Sequence, residues 1–302
     1  MTPHESPEPS ELPVIFDCAG ERLIGVVSVP EQPTDTGVLI LVGGRQYRVG
    51  SHRQFVLLSR RLASADFCCL RFDFRGMGDS TGELQNFAAV DADISAALAA
   101  FKAQCPHLKR VVLWGLCDAA TAAVLYWQRT NDPFVVGLCL VNPWLRTEAS
   151  LARARVRHYY VERLLDLAFW RKLFTGGVRL RSSFHEYLGQ WRASRRVVQT
   201  RILVQRRIQK SFLGQTSADF ITETLDGLRF FPGAILVVLS GRDLVAKEFM
   251  DTLACAGDAP TFTGAQRMRK DIPNADHTFS QTAPREELEA AVLAWLKTAF
   301  RS

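Results

Sequence analysis

One cysteine of the sequence stands where a nucleophile would be presented. An apolar run at residues 111–114 predicts a buried strand, and the Ala-rich segment soon after it predicts a helix. Cys117 lies between the two, and a strand, a sharp turn and a helix with a thiol at the apex form a nucleophile elbow. Gly115 and Ala119 flank the thiol at equal distance, where larger side chains would collide across the turn. The N-terminus of the helix favours a thiolate and a developing oxyanion, because its backbone N–H groups are unpaired and its dipole is positive.

The same segment also fits a purely structural interpretation. Cysteine is among the most frequently buried residue types, so Cys117 is also compatible with a place in an ordinary core. Glycine close to a strand end is common turn chemistry. The choice between the two interpretations therefore depends on whether the rest of the chain supplies partners for the thiol.

Two later strand ends supply such partners. Residues 234–240 predict a strand followed by Asp243, and residues 267–272 predict a last strand followed by His277. An acid, a base and a nucleophile are what covalent acyl transfer requires: the imidazole takes the thiol proton, the carboxylate fixes its tautomer, and backbone N–H groups hold the oxyanion. Asp243 also fits the N-cap of the next helix, and His277 also fits a plain surface loop. Glu248 and Asp219 are the reserve candidates for the acid.

The elements around these residues predict a mainly parallel sheet with helices on both faces. Strands and helices alternate at intervals of about 20–30 residues, which is typical of doubly wound α/β domains. In such sheets ligands bind outside the carboxyl ends of the strands, where Gly44, Asp79 and Cys117 all fall. We expect a hairpin of edge strands first, at residues 13–17 and 23–29. The other predicted strands span residues 38–42, 67–72 and 134–141, and the other predicted helices residues 51–65, 90–103, 247–255 and 286–300.

Residues 144–229 interrupt this alternation and predict an inserted helical lid. Between residues 146 and 210 there are 16 Lys and Arg against 4 Asp and Glu, a local balance of +12, so the remainder of the chain carries −6 of the net +6. Three interpretations of this basic, aromatic-rich lid stay open. It forms solvated helix faces, it holds an anionic acyl donor such as coenzyme A or an acyl carrier protein, or it lies on an anionic membrane surface. Nothing beyond charge and aromatic content favours nucleic acid, which we do not expect as a partner.

Length and composition further narrow the class of protein. The chain has 302 residues, 47% of them hydrophobic, which is enough for one large core with an insertion. Its seven cysteines are an odd number without a CxxC pair, which is typical of a reduced, cytoplasmic protein. No apolar stretch is long enough for a bilayer span, and residues 1–11, rich in Pro, Glu and Ser, predict a disordered terminus. The histidines at positions 52, 107, 158 and 185 lack metal-ligand spacing, so we expect no metal and no cofactor.

Five segments carry the motifs of the chain: Gly43-Gly44, Asp73-Phe-Arg-Gly-Met-Gly-Asp-Ser80, Gly115-Leu-Cys-Asp-Ala119, Gly241-Arg-Asp243 and Ala275-Asp-His277. Together they resemble the α/β-hydrolase superfamily over residues 12–300. The resemblance implies an eight-stranded sheet, with a core at 12–143 and 230–302 and a cap at 144–229. It implies oxyanion donors at the backbone N–H groups of Asp118 and Arg45, with Gln46 next in line. The usual elbow carries serine, and often glycine where this chain has Ala119.

The cysteine elbow followed by Asp-Ala-Ala resembles a narrower family, the α/β-hydrolases associated with bacterial exosortase A systems (hydrolase 1 type). Members of that family occur together with machinery for protein sorting and exopolysaccharide synthesis. The resulting hypothesis is a cytoplasmic hydrolase or acyltransferase that uses Cys117, His277 and Asp243 on an acyl ester or thioester, with contact to the inner membrane as one interpretation of its lid. The alternative is a hydrolase-fold binding module that has lost turnover and docks a partner or a membrane through the basic lid. The rate of thiol alkylation at Cys117 discriminates between them.

Overall fold

The computed structural model describes residues 9–44, 46–145, 219–256, 262–264 and 266–300. The chain divides into two compact units, the first formed by Met1–Arg146 with Phe220–Ser302 and the second by Thr147–Asp219. The first unit contains the sheet and all the helices described below. Residues 146–218, the greater part of the predicted helical lid, lie outside the described residues.

The first unit is an α/β domain built on one eight-stranded sheet, as the sequence predicts. Its order is β1-β2-β4-β3-β5-β6-β7-β8, and every neighbouring pair from β4 to β8 is parallel, while β2 runs antiparallel to both β1 and β4. The strands are β1 (Ser10–Cys18), β2 (Glu21–Val29), β3 (Thr36–Leu41), β4 (Cys69–Phe72), β5 (Arg110–Leu116), β6 (Val135–Val141), β7 (Ala234–Ser240) and β8 (Arg267–Ile272).

The first hairpin differs from the prediction in two respects. Its pairing runs from Ser10 opposite Val29 to Cys18 opposite Glu21, so β1 starts three residues before the expected position 13 and inside the segment expected to be disordered. The second strand is not an edge strand, since β2 lies between β1 and β4. Only one of its nine residues is exposed, against five of the nine in the edge strand β1.

Six α-helices in the described ranges flank the sheet. Their apolar faces pack on the central strands, and every residue of β3 and of β7 is buried, which explains the uninterrupted apolar runs of those strands. Tyr126, Trp114 and Trp295 are among the largest fully buried side chains. The helices are α1 (Gln54–Ala63), α2 (Asp91–Gln104), α3 (Asp118–Thr130), α4 (Asp219–Phe230), α5 (Leu244–Cys255) and α6 (Thr282–Phe300).

Helix α4 lies within the segment that the sequence assigns to the lid, yet from Phe220 onward it belongs to the first unit. Phe220 stacks on Trp144 with ring centroids 5.6 Å apart, and Leu228 is fully buried. The Glu223 carboxylate accepts from the Arg129 guanidinium of α3 at 2.6 and 2.9 Å. The core therefore resumes near residue 220, about ten residues earlier than the expected boundary at 230, because this helix is buried in the first unit and paired with α3.

Candidate active site

The elbow at Cys117 is a strained turn between β5 and α3. Cys117 has φ 62° and ψ −122°, a conformation that residues with a side chain rarely adopt. A Cβ atom on Gly115 would lie 2.5 Å from the carbonyl carbon and oxygen of Ala119, so only glycine fits there. The structure thus confirms that a larger side chain at position 115 would collide with residue 119, as the sequence predicts.

Backbone hydrogen bonds fix this strained turn to its neighbours. The Cys117 N–H donates to the Val141 carbonyl at the end of β6 over 2.9 Å. The Cys117 carbonyl accepts from the Ala120 N–H at 3.2 Å and from the Trp144 N–H at 3.1 Å. The thiol is half-buried at the carboxyl end of β5, next to the first turn of α3. Because the strain is countered by these bonds, the position of Cys117 is defined by the sheet and not by a free loop.

The acid and the base that the sequence predicts are in contact. His277 Nδ1 lies 2.7 Å from Asp243 Oδ2, so the ring nitrogen donates to the carboxylate and Nε2 is left as the basic nitrogen. The other carboxylate oxygen, Oδ1, accepts from the Val245 N–H at 3.0 Å and caps α5. Asp243 is therefore both the hydrogen-bond partner of His277 and the N-cap of α5, since its two oxygens accept from different donors.

Carboxylates raise the pKa of His277 above its usual value. The hydrogen bond to Asp243 is the largest cause, and burial of the ring opposes it. The charges of Asp243, Asp118 and Asp276 add to the upward shift of the pKa. Asp118, which directly follows Cys117, is thus one of the charges that raise the pKa of His277.

Asn142, directly after β6, joins the end of β7 to the loop that carries His277, and no motif of the sequence singles it out. Its side-chain amide donates to Ser240 Oγ at 2.8 Å and to the His277 carbonyl at 3.3 Å, and its Oδ1 accepts from the Ser240 N–H at 2.8 Å. Asn142 is fully buried and has φ 45°. One sequence feature could have pointed to Asn142: it is a polar residue directly after a wholly apolar strand, and such a residue lies at the carboxyl edge of the sheet.

The predicted oxyanion residues are placed only in part. Asp118 opens α3, and its Oδ1 accepts from the Gly44 N–H at 2.8 Å, so the turn after β3 touches the elbow. Arg45 lies outside the described residues. The Gln46 side-chain oxygen accepts from the N–H and Oγ of Ser51 at 3.0 and 3.2 Å. Of the reserve acids, Glu248 is buried in α5, one turn beyond the residue that holds His277, and the Asp219 side chain lies outside the described residues.

Comparison with known proteins identifies the family. The model of the alpha/beta hydrolase family matches residues 39–291, which include the elbow, Asp243 and His277. The chain belongs to the alpha/beta hydrolase family. No curated protein sequence matches it at a significant level.

Solved structures agree with this family at the level of the fold. An esterase from Pyrococcus furiosus is 15% identical, with a TM-score of 0.61 over 96% of this alpha/beta hydrolase and 92% of the esterase. A dienelactone hydrolase from Anabaena variabilis is 14% identical, with a TM-score of 0.59 over 97% and 99% of the two chains. An alpha-beta serine hydrolase homologue from Coxiella burnetii is 13% identical, with a TM-score of 0.56 over 94% and 96%.

Neither a metal cluster nor a membrane span occurs in the described part of this alpha/beta hydrolase. Among the described residues, no group of three or more His, Cys, Asp or Glu side chains is arranged to hold a metal ion. Within the same ranges, no helix combines the length and the apolar character that a bilayer span requires.

Proposed function

We propose that the protein cleaves or transfers an acyl group, from an ester or a thioester, through a covalent intermediate on Cys117. The observation that carries this proposal is the 2.7 Å contact between His277 Nδ1 and Asp243 Oδ2. The pair sits at strand ends that share a hydrogen-bonded frame with the elbow, since the end of β6 binds Cys117 through Val141 and His277 through Asn142.

In this mechanism each residue of the site acts at a defined step of the reaction. His277 Nε2 takes the thiol proton while the sulfur attacks the acyl carbonyl, and the new charge rests on the carbonyl oxygen. That oxygen is stabilised by the N–H of Asp118 and by an N–H of residues 45–46. The bond to the leaving group breaks as His277 returns the proton to it, which leaves an acyl thioester on Cys117. Water or another acceptor, deprotonated by His277, then releases the acyl group and restores the thiol.

The cysteine narrows the substrate class. A thiolate is an intrinsically strong nucleophile, so thioesters and activated esters suit it, including acyl groups on coenzyme A or on an acyl carrier protein. Esterase and hydrolase names among the structural neighbours support esters as the first substrates to test. The Cys-Asp-Ala-Ala elbow supports, by resemblance, a role beside bacterial exosortase and exopolysaccharide systems in the cytoplasm.

Thiol alkylation combined with turnover tests the proposal. We expect iodoacetamide to modify Cys117 near neutral pH faster than a free thiol, and the His277→Ala variant to lose that advantage. We expect Cys117→Ala to lose hydrolysis of p-nitrophenyl acetate and of acyl-coenzyme A. Cys255→Ala is the matched control, because Cys255 is the exposed cysteine of α5, away from the elbow. Full activity in Cys117→Ala would reject the mechanism.

The strongly basic segment of the sequence favours a second candidate, a binding module without turnover. A local balance of +12 between residues 146 and 210 suits an anionic partner or membrane surface. Alkylation of Cys117 no faster than that of a free thiol, together with no turnover of either substrate, would favour this candidate over the enzyme.

A further inference from the structure

The side chain of Asp118 makes a contact that acyl transfer by Cys117 does not by itself require. Its Oδ1 accepts from the Gly44 N–H at 2.8 Å, and so links the first turn of α3 to the loop after β3. The two backbones approach closely, since a Cβ on Gly43 would lie 2.4 Å from the Leu116 carbonyl oxygen and 2.5 Å from Asp118 Oδ1. The Gly43-Gly44 turn therefore packs on the elbow itself, with the carboxylate as the bridge.

The Asp118 carboxylate also acts on the base. Among the carboxylates that raise the pKa of His277, Asp118 ranks after Asp243 and before Asp276. Burial raises the pKa of Asp118 itself, and three backbone N–H groups, those of Gly44, Ala119 and Asp118, oppose that shift. The imidazole charge of His277 also lowers the pKa of Asp118, so the two groups are electrostatically coupled in both directions.

The charged groups around His277 are few in the described ranges. Asp243 approaches it from the loop after β7, Asp118 from α3, and Asp276 from its own loop. His52 acts on Asp276, whose carboxylate also accepts from the Ser280 N–H at 3.0 Å. Asp118 differs from Asp276 in one respect that matters here: it binds the turn expected to hold the oxyanion.

We propose that Asp118 is a positioning residue whose carboxylate holds the Gly43-Gly44 turn against the elbow. Held at the first turn of α3, the same carboxylate has a second effect, because its charge is among those that raise the pKa of His277. This inference rests on the proposed function, because both effects act through the oxyanion turn and the base of that mechanism. The residue after the nucleophile would then contribute its side chain as well as its backbone N–H.

The two effects are separable by substitution. Asp118→Asn keeps an oxygen that accepts from Gly44 but removes the charge, whereas Asp118→Ala removes both. Asp276→Asn is the matched control, since it removes a charge near His277 without touching the oxyanion turn. Cys117→Ala, assayed in parallel, reports separately on the proposed function.

The first measurement is the titration of His277, followed by NMR through its ring C–H signals and assigned with His277→Ala. We expect Asp118→Asn to lower the midpoint of the His277 titration, and to lower it more than Asp276→Asn does. A midpoint equal to that of the wild type would overturn the electrostatic part of the inference, whatever the activity of the protein.

The second measurement is kcat/KM for p-nitrophenyl acetate at a pH where His277 is neutral in all variants. We expect Asp118→Ala to lose about 10- to 100-fold relative to Asp118→Asn, because misplacing a group that stabilises the transition state has costs of that order. Equal rates in the two variants would overturn the bridging part. If Cys117→Ala kept full activity, the proposed function would fail instead, and the His277 titration would still stand as evidence on Asp118.

The third measurement covers the case in which Asp118→Ala does not fold. In the wild type, the Gly44 amide proton should shift with an inflection above the usual range for an aspartate, because it reports the ionisation of Asp118. The inflection should disappear in Asp118→Asn. A Gly44 amide that does not titrate in the wild type would contradict the bridge.

Discussion

At the scale of single residues, Asp243 has a part both in the proposed reaction and in the stability of helix α5. One carboxylate oxygen binds His277 Nδ1 and the other caps α5. The same side chain therefore orients the base and begins the helix that follows it. A substitution that spares the cap and removes the charge separates these two roles.

Asp243→Asn is that substitution. Asparagine is as good an N-cap as aspartate, so we expect little loss of stability from the helix. Its amide can donate to the ring nitrogen, which favours the wrong tautomer of His277, and we expect kcat to fall about 10⁴-fold, the magnitude known for this change in a serine protease. Steady-state kinetics and urea unfolding measure the two effects. Asp276→Asn serves as a control for the loss of a nearby charge, and wild-type kcat in Asp243→Asn would contradict the role of the acid.

The raised pKa of His277 also predicts how stability depends on pH. Folding raises this pKa above its usual value of 6.5, so the folded protein binds the proton more tightly than the unfolded chain. The stabilisation is complete below pH 6.5 and is lost as the pH rises through the folded pKa. We expect the difference in unfolding free energy between the wild type and His277→Gln to be larger at pH 6 than at pH 9. Urea unfolding at both pH values measures it, and a difference that grows with pH would contradict the assignment.

At the scale of elements, the elbow depends on a contact between β5 and α3. Gly115→Ala places a Cβ 2.5 Å from the backbone of Ala119, and the atoms that must move belong to the first turn of α3. We expect a loss of stability of about 1–3 kcal/mol, the usual cost of overpacking, together with a large loss of activity as Cys117 is displaced. Chemical unfolding and turnover provide the measurement.

Gly20→Ala is the control for a glycine substitution without a collision. Gly20 has φ 83°, and a Cβ added there would have no other atom within 4 Å, so only backbone strain of about 1 kcal/mol is expected. Its activity should match that of the wild type, because the β1–β2 turn is far along the sheet order from β5. If Gly115→Ala were as stable and as active as Gly20→Ala, the tight elbow would not be essential.

The sequence predicts the elements well where the signal is local. The bounds of β7 and β8 agree with the structure, because each apolar or alternating run ends at a turn residue. Asn142 and the Gly44–Asp118 bond escape prediction, since they join residues 98 and 74 positions apart, and no local pattern specifies such pairs. The inner position of β2 in the sheet could not be predicted for the same reason, because its second neighbour, β4, lies about 40 residues later in the chain, outside the hairpin.

At the scale of the whole molecule, the two chain segments of the first unit meet through aromatic packing. Trp144, near the end of one segment, contacts Phe87 with ring centroids 5.2 Å apart and Phe220, near the start of the other, at 5.6 Å. The points where the chain leaves and re-enters the core are therefore close together. This arrangement is typical of an insertion that the core tolerates without losing its own packing.

Replacing residues 147–218 by a short Gly/Ser linker tests whether the first unit folds alone. We expect a single cooperative unfolding transition, because the described residues that remain form a buried core of their own, in which every residue of β3 and β7 is buried. Far-UV circular dichroism during urea unfolding measures it. The Phe220→Ala substitution in the same shortened chain is the control, and it should lower the midpoint. A shortened chain without a cooperative transition would contradict the division into units.

The most direct test of the account is the mass of the intact protein during turnover of p-nitrophenyl acetate. We expect a rapid quench to capture a species heavier by one acetyl group, peptide mapping to place that group on Cys117, and Cys255→Ala to accumulate the same species equally. Cys117→Ala should show no added mass. Turnover with no acylated species in the wild type, or with the acetyl group on another residue, would contradict covalent catalysis by Cys117.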